Sequence, residues 1–520
     1  MDDPVNDINR VIDRWLLLGL VLYFGLHFIS RVLVSPSLEL DEAEQLLHLQ
    51  TLSLGYGFQP PLYTWLQALV FTFTGPGVLG LALLKALLLW LTWWAAYRAA
   101  RLFYEAKDAL AVGLSLALFP QFLWESQRDL THTVLLVACV ALAWLLMLGL
   151  HLRRVDGLTM KANQRVSALP CGWAALLGLL VGAAILAKYS AGLWVVIVVF
   201  SIALAGGPLR HWLSLRPLVL ILLVAFVVVL PHGLWLLNNL SEVAAPIQSK
   251  LGMERVAPES TMLAPSFGSA LGSLLQALGG FTGIWILITA LALGWHWLKG
   301  RAGANVELGP AGHTLQLDVS GLALQSFWKF YLLLFVAALL AMIVFADATH
   351  FKDRWMQPFL VILPLAFAQL AFKNGLPLAV RRAWIFAALG LMLLALVLMP
   401  LRTVIGQHTG ELSRLAIPYE ELAQALKRDH PGAKNIFAPQ GLVAGNLALY
   451  SKLNNWKVSL QGTANESGLW VQQEMPSRGP VIAPPQGWVE RGVYTFSLRY
   501  NQTVKGVSHA TWRVYGSPIR

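Results

Sequence analysis

Charged residues are scarce in this sequence. Asp, Glu, Lys and Arg make up 12% of the 520 residues, and 57% of the residues are hydrophobic. Soluble domains contain roughly 25% charged residues. So few charges cannot cover a surface that faces water on all sides, and much of the surface is therefore expected to face lipid.

Cysteine and several common catalytic motifs are also nearly absent. Cys139 and Cys171 are the two cysteines, and both lie in apolar runs, so no disulfide framework is expected. The sequence lacks a Walker A motif, Gly-x-Gly-x-x-Gly after a strand, His-Glu-x-x-His and Cys-x-x-Cys.

The net charge is +11, but Lys and Arg lie in short connections between apolar segments. This distribution follows the positive-inside rule of membrane proteins and does not indicate a nucleic-acid partner.

Long apolar runs dominate the first four fifths of the chain. A spanning helix needs about 20 mostly apolar residues. The candidate spans are 15–34, 76–97, 109–124, 131–151, 170–187, 189–206, 217–237, 269–297, 328–346, 355–372 and 383–400. With the shorter segment 62–74, these runs predict an all-α polytopic membrane domain over residues 1–402 with about 11–13 transmembrane helices.

The basic residues predict the orientation. If the N-terminus is cytoplasmic, every second connection is rich in Lys and Arg, as the rule requires. The first run is preceded by the polar residues 1–14 and lacks a cleavage site after it, so it is expected to remain as an anchor. The two long outer loops are then 35–75, with amphipathic helices, and 238–268. We expect a bacterial inner-membrane protein whose C-terminal part is extracytoplasmic.

The composition changes after residue 402, where polarity becomes ordinary and turn residues are frequent. Helical periodicity and alternating patterns predict elements at 419–427, 435–438, 442–452, 456–460, 493–500 and 511–515. Residues 403–520 are therefore predicted to form a small α/β extracytoplasmic domain.

Four carboxylates follow the first span in the segment Glu39-Leu40-Asp41-Glu42-Ala43-Glu44. Carboxylates close to a membrane are costly unless they are solvated, paired or functional. Asp41 is a good helix N-cap with Glu44 as its capping-box partner. Catalysis by Asp41 is the alternative, and the two roles are compatible.

Several segments together resemble a known enzyme family. Asp41-Glu42 is followed by Pro60-Pro61-Leu62-Tyr63-Thr64-Trp65, and a Gly-rich span ends in Lys188-Tyr189. Pro231-His232-Gly233-Leu234-Trp235 and Phe351-Lys352-Asp353-Arg354-Trp355 come later in the chain. The order of these segments along the chain, and the side of the membrane on which they are predicted to lie, resemble those of GT-C type membrane glycosyltransferases. The resemblance is to the bacterial relatives of protein O-mannosyltransferases and of the aminoarabinose lipid A transferase.

The resemblance implies an inverting transfer of a sugar from a polyprenyl phosphate at the outer face of the membrane. The acceptor would be a glycolipid, a cell-envelope glycan or a protein. Asp41 matches the family's first-loop aspartate, so Asp41 is expected to act as the base or to hold the geometry of the base, assisted by Glu42. Two segments differ from the corresponding segments of relatives. Phe58-Gln59 stands where some relatives have a charged pair. Leu130-Thr131-His132 stands where relatives often have Leu-Thr-Asp, and Asp129 directly precedes Leu130.

The remaining candidates follow from the charges that this chemistry needs. Asp129 is a second catalytic candidate or an N-cap, and Asp41 and Asp129 are candidate ligands of a divalent metal ion, with His132 nearby. A leaving phosphate needs cations. The candidates are Lys188, His350, Lys352 and Arg354. The alternative role of Lys188 is to extend its ammonium group to the membrane interface. The alternative role of the other three is to bind anionic lipid headgroups. Gln59, His132 and Arg255 are further substrate-binding candidates.

Three other functions compete with this hypothesis. A lipid or sugar transporter or flippase would carry its charges at mid-membrane, in a cavity open to both sides. A non-catalytic scaffold would leave its polar groups dispersed. A lipid-linked oligosaccharide ligase or polymerase would share the location and differ in donor. The expected partners are a polyprenyl-phosphate sugar, a lipid or glycan acceptor and membrane lipids, whereas the oligomeric state cannot be read from the sequence.

Overall fold

The computed structural model describes most of the chain. The described residues are 4–160, 171–251, 267–301, 319–372, 375–410, 412–462, 466–474, 483–501, 503 and 506–517. Arg255 and residues 252–266 of the predicted loop 238–268 lie outside them, so the substrate-binding role of Arg255 stays a prediction.

The described residues of the first part of the chain form nine helices. They are α1 (Pro4–Val34), α2 (Leu40–His48), α3 (Leu62–Thr74), α4 (Val78–Arg101), α5 (Ala106–Leu114), α6 (Ser126–Arg128), α7 (His132–Met160), α8 (Cys171–Ala187) and α9 (Ser190–Ala205). A short 3-10 helix, Ser115–Leu118, and a π-helical turn, Gln121–Glu125, connect α5 to α6.

The next part continues the helical bundle. Its helices are α10 (Leu215–Asn238), α11 (Leu240–Leu251), α12 (Phe267–Arg301), α13 (Val319–Ala346), α14 (Gln357–Leu360), α15 (Leu363–Ala371) and α16 (Leu378–Thr409). Further 3-10 helices occupy Gly207–Leu213 and Asp353–Met356. In a bilayer every backbone polar group must be bonded internally, which is why the apolar runs form helices.

The polytopic all-helical fold is confirmed, but fewer helices are full-length spans than predicted. Among the described residues, seven helices are long and apolar enough to cross a membrane, namely α1, α4, α7, α10, α12, α13 and α16. The helices α8 and α9 have 17 and 16 residues, so each is about 25 Å long, shorter than a hydrocarbon core of about 30 Å.

Two other predicted spans are broken helices. The segment predicted as a span at 109–124 belongs to a helix pair, Ala106–Leu118 and Gln121–Arg128, which is bent by 78°. The segment predicted at 355–372 begins as a 3-10 helix and is interrupted between α14 and α15. Hydropathy depends on the composition of a segment and not on the direction of its helix axis. A bent apolar segment is therefore predicted as one straight span.

Near the end of the chain, the residues that the structure describes form a five-stranded sheet. Its elements are α17 (Tyr419–Asp429), β1 (Asn435–Phe437), α18 (Gly441–Leu449), α19 (Ser451–Asn454), β2 (Lys457–Ser459), β3 (Leu469–Gln473), β4 (Val489–Ser497) and β5 (His509–Gly516). The strand order is β2-β1-β3-β5-β4, with β1 parallel to β2 and β3, and β5 antiparallel to β3 and β4. The predicted small α/β region is therefore present.

The sheet region packs on the helical bundle through α2. A Cβ atom at Gly445 of α18 would lie 2.2 Å from the carbonyl oxygen of Ala43, so a residue without a side chain is needed at this contact. The Gln50 side chain, just after α2, bonds both backbone groups of Val458 in β2, at 2.7 and 2.8 Å. As a result α2 is enclosed between the bundle and the sheet, and its first turn is fixed in place.

Candidate active site

Glu39 and Glu42 hold the first turn of α2. Glu39 is the N-cap residue, and its backbone N–H donates to Oε2 of Glu42 at 3.0 Å. This is the capping-box arrangement. The prediction that Asp41 is the cap and Glu44 its partner is wrong, because the helix begins two residues earlier. The Asp41 carboxylate is therefore not needed to cap the helix.

Asp41 lies directly beside Asp129. The backbone N–H of Asp41 donates to Oδ1 of Asp129 at 2.9 Å, although 88 residues separate them in the chain. Asp129 is buried and Asp41 is half-buried. The two carboxylates that the sequence analysis singled out are thus brought together at the junction of α2 and α7.

The surroundings of Asp41 change its acidity. Burial, and after it the negative charge of Asp129, raise the pKa of the Asp41 carboxyl to about 6. Arg354, Lys85 and Lys188 act in the opposite direction. Two of these cations, Lys188 and Arg354, are predicted phosphate-binding residues, so they lie close enough to act on the same carboxylate. A carboxyl with a pKa near 6 is suited to accept a proton at neutral pH.

Arg414 binds the other side of Asp129. Its guanidinium lies 3.1 Å from Oδ2 of Asp129 and 3.4 Å from Oε2 of Glu39, and Arg402 bonds Oε1 of Glu39. Arg402, Arg414 and Glu39 were not among the predicted site residues. The two partners of Arg414 lie 285 and 375 residues away, so no local pattern could have revealed the contacts.

Glu42 points into a buried ion-pair cluster. Its carboxylate accepts hydrogen bonds from Arg31, at 3.2 and 2.5 Å, and lies 3.6 Å from Nζ of Lys85. Burial alone would raise the pKa of Glu42, but Arg31 and Lys85 outweigh it and lower the pKa to about 2. Both oxygens are engaged by cations, so this geometry favours a structural role over direct assistance to Asp41.

His132 is buried at the start of α7, and both ring nitrogens have partners. Nε2 lies 3.0 Å from Nε2 of Gln45, and Nδ1 lies 3.3 Å from the carbonyl oxygen of Ala187. The amide nitrogen can only donate and the carbonyl can only accept, so these contacts assign the ring proton to Nδ1. Thr64 bonds Oε1 of Gln45 at 2.9 Å. His132 therefore ties α2 and α3 to α7 and α8.

Lys188 and Gln59 have defined local partners. Nζ of Lys188 donates to Oγ1 of Thr133 at 2.8 Å, which holds the ammonium group next to the first turn of α7.

The backbone groups of Gln59 and Tyr56 exchange hydrogen bonds of 3.1 and 3.2 Å across a tight turn, in which Gly57 adopts a φ of 58°. The substrate-binding role of Gln59 stays a prediction.

The predicted basic cluster lies at the 3-10 helix Asp353–Met356. Arg354 is half-buried, whereas His350 and Lys352 are exposed. Burial and the charge of Arg354 lower the pKa of Lys352. Asp353 accepts a hydrogen bond of 2.6 Å from Gln121 in the π-helical turn, so the bend of that broken helix anchors the cluster.

The residues present at the site fit a metal ion poorly. Within the described parts of the chain, no three His, Cys, Asp or Glu side chains form a group that could hold a metal ion. Both oxygens of Asp129 already accept hydrogen bonds, from Asp41 and Arg414. The predicted role of Asp41 and Asp129 as metal ligands stays a prediction.

Sequence comparisons identify relatives of this chain. Residues 58–235 match the family model described as dolichyl-phosphate-mannose-protein mannosyltransferase. The lipopolysaccharide core galacturonosyltransferase RgtB of Rhizobium johnstonii is 31% identical over 85% of this chain and 82% of its own length. RgtA of the same organism, with the same description, is 30% identical over 83% and 80%.

A solved structure shares the fold. The crystal structure of ArnT from Cupriavidus metallidurans bound to undecaprenyl phosphate matches 96% of this chain and 98% of its own, with a TM-score of 0.56 and 15% identity. The apo structure of that protein matches with a TM-score of 0.54 and 14% identity, over 88% of this chain and 92% of its own. The similarity to the two galacturonosyltransferases favours sugar transfer over transport. With the two galacturonosyltransferases as relatives over most of their length, the chain belongs to the GT-C type membrane glycosyltransferases.

Proposed function

We propose that this protein transfers a uronic acid from a polyprenyl-phosphate carrier to the core of lipopolysaccharide or to a related envelope glycolipid. The relatives named as lipopolysaccharide core galacturonosyltransferases support the sugar and the acceptor. The fold shared with ArnT, whose crystal structure holds undecaprenyl phosphate, supports the carrier.

The observation that carries the proposal is the position of Asp41. It is a half-buried carboxylate beside Asp129, within the electrostatic influence of Lys188 and Arg354. An inverting transfer needs a carboxylate that can accept a proton and cations that can bind the leaving phosphate. The cations leave the carboxylate ionised at neutral pH, because its pKa is about 6.

In the proposed reaction Asp41 removes the proton from the acceptor hydroxyl. The hydroxyl oxygen forms a bond to the anomeric carbon as the bond from that carbon to the phosphate oxygen breaks. The bonding electron pair leaves with the phosphate, which Lys188 and Arg354 stabilise by charge-assisted hydrogen bonds. The anomeric configuration inverts, since hydroxyl and phosphate occupy opposite faces of the sugar.

Other charged residues hold this arrangement in place. Asp129 fixes the backbone of Asp41, and Arg414 fixes Asp129, so both act as positioning residues. Glu42 fixes the start of α2 through Arg31. The exposed side chains of His350 and Lys352, next to Arg354, attract the anionic carrier toward the site.

We place the reaction at the outer face of the bacterial inner membrane. The basic connections support a cytoplasmic N-terminus. Because α2 and the sheet region pack together, the site and the C-terminal region then lie on the same, extracytoplasmic side.

Mass spectrometry of envelope lipids tests the proposed function. A strain that lacks the gene is complemented with the wild-type protein, with Asp41→Asn or with Asp429→Asn. The wild-type protein should restore a uronic acid on the lipopolysaccharide core, and Asp41→Asn should not. Asp429 is paired with Arg428 on the surface, so its variant is the matched control and should restore the product.

Equal amounts of the three proteins in the membrane must be shown by immunoblotting. An unchanged envelope in the strain that lacks the gene would contradict the proposed substrate. Restoration by Asp41→Asn would contradict the proposed site.

A further inference from the structure

A cavity of about 190 Å³ opens between α1 and α4, away from the candidate active site. On α1 it begins at Asp13, which is 18 residues before Arg31, or about 27 Å along the helix. The cavity is lined by Asp13, Arg14, Leu16, Leu17, Leu20, Trp94, Tyr97 and Arg98. The glycosyl transfer described above uses none of these residues.

The acidic group in the cavity is already neutralised. The carboxylate of Asp13 accepts a hydrogen bond of 3.0 Å from Arg101 and another from the hydroxyl of Tyr97. Arg14 and Arg98 are both exposed, and among the described residues neither forms an ion pair. Two guanidinium groups therefore face the cavity without a carboxylate of their own.

The cavity changes from charged to apolar along the helix axis. Arg14 and Arg98 lie at the end that is nearer the terminus of each helix, whereas Leu17, Leu20 and Trp94 lie toward the middle of the span. From Asp13 to Leu20 is about 10 Å along the helix axis. The ring of Trp94 is held against Trp90, with centroids 6.2 Å apart and planes within 14°.

We infer that this cavity binds the headgroup of an anionic glycerophospholipid. Guanidinium groups bind phosphate through paired hydrogen bonds, so Arg14 and Arg98 hold the lipid phosphate between α1 and α4. The leucines and Trp94 contact the glycerol backbone and the first acyl carbons, where Trp rings are favoured in membranes. A soluble phosphate would match only the charged end of the cavity, which is why the geometry points to a lipid.

The experiment measures lipid binding by the full chain. The protein is purified in a mild neutral detergent, and phosphatidylglycerol or phosphatidylcholine is added while bound lipid is counted by native mass spectrometry. Wild-type protein should bind phosphatidylglycerol in preference to phosphatidylcholine. The double variant Arg14→Gln/Arg98→Gln should bind phosphatidylglycerol about thirtyfold more weakly, given typical gains for basic side chains at an anionic headgroup.

A double variant with the same loss of charge serves as the control. Arg10 and Arg382 are exposed at the same end of the bundle and do not line the cavity, so Arg10→Gln/Arg382→Gln should keep the wild-type affinity. An equal loss in both double variants would overturn the inference, because it would show a general effect of surface charge. A wild-type protein without preference between the two lipids would overturn it as well.

A third variant covers the case in which the arginine variant does not fold. Leu17→Trp fills the cavity while both arginines remain, and it should abolish the preference for phosphatidylglycerol. Retention of that preference by Leu17→Trp would contradict the inference. Glycerol phosphate, added at the same concentration, should not displace the lipid, and displacement would identify the cavity as a site for soluble phosphate instead.

Discussion

At the scale of single residues, two neighbouring carboxylates have different surroundings. Asp129 is buried and forms an ion pair with Arg414. Asp41 is half-buried, and among the described residues it forms no ion pair. Burial and the negative charge of Asp129 raise the pKa of Asp41, although Arg354, Lys85 and Lys188 act in the opposite direction. Pairs of acidic groups whose environments differ in this way divide positioning and proton transfer between them.

The acidity of Asp41 predicts the pH dependence of catalysis. Its pKa is raised to about 6, and the protonated form cannot accept a proton, so kcat should fall as the pH decreases through about 6. Asp129→Asn removes a negative neighbour, which lowers the pKa of Asp41 and moves this acid limb to lower pH. Initial rates in proteoliposomes measured against pH test the prediction. An acid limb at the same pH in both proteins would contradict it.

The buried cluster around Glu42 predicts a loss of stability. Glu42→Gln would leave Arg31 and Lys85 without their anion, and breaking a buried ion pair costs about 3–5 kcal/mol. The free energy of unfolding is measured in detergent. Because the pKa of Glu42 is lowered to about 2, its contribution is complete above the unfolded-state pKa and is lost as the pH falls toward 2.

A surface ion pair provides the control for Glu42. Glu420 pairs with Arg499 and is 40% exposed, so Glu420→Gln should cost less than about 1 kcal/mol. Equal stabilities of the two variants would show that the cluster around Glu42 does not stabilise the protein.

The residues of the site could be predicted from the sequence only in part. Asp41 and Asp129 could be found, because carboxylates beside apolar spans are rare and costly. The cap at Glu39 could not, because Asp is the better N-cap by residue type, whereas Glu39 is held in place by Arg402 and Arg414. Those contacts exist only in the folded chain.

At the scale of elements, periodicity predicted helices better than buried strands. The strands β4 and β5 follow the predicted alternating patterns at 493–500 and 511–515. The strand β3 was missed, since Leu469–Gln473 is buried at every position and lies in the middle of the sheet. A strand covered on both faces shows no alternation, and its five residues are too few for a hydropathy signal.

The contact between α18 and α2 predicts the effect of one methyl group. Gly445→Ala places a Cβ atom 2.2 Å from the Ala43 carbonyl oxygen, so the sheet region must move away from α2. We expect a loss of about 1–3 kcal/mol from this overpacking. Thermal unfolding and the rate of proteolysis between α16 and α17 measure it.

Gly441 is the matched control on the same helix. An added Cβ atom at Gly441 meets nothing within 4 Å, so Gly441→Ala should be neutral or slightly stabilising, as alanine favours helix. A Gly445→Ala variant as stable as Gly441→Ala would mean that the contact is loose.

At the scale of the whole molecule, the region after residue 402 completes a candidate site that begins near residue 40. Arg414 bonds Asp129 and Glu39, and Asn446 bonds the backbone N–H of Leu38 at 2.9 Å. The chain therefore closes the first loop with its own C-terminal region. The sequence predicted the first outer loop and the C-terminal region but not the contact between them. A periodic pattern shows which face of an element is buried, but not which other element covers it.

The native and introduced cysteines test the proposed orientation. Cys171 is exposed at the start of α8 and Cys139 is buried. Leu453 in α19 is 84% exposed. In intact cells a membrane-impermeant maleimide should label Leu453→Cys in a Cys171→Ala background. Cys171 of the wild-type protein should react only after the inner membrane is permeabilised. Labelling in the reverse pattern would contradict an extracytoplasmic C-terminal region.

The most direct measurement compares wild-type protein and Asp41→Asn in proteoliposomes that contain a polyprenyl-phosphate uronosyl donor and a lipopolysaccharide-core acceptor. The measured quantities are the single-turnover rate and the affinity for the donor. The rate should fall by about 10²–10⁴, as expected for loss of a general base, while donor binding persists because Lys188 and Arg354 are unchanged. A rate near that of the wild-type protein would contradict the role assigned to Asp41.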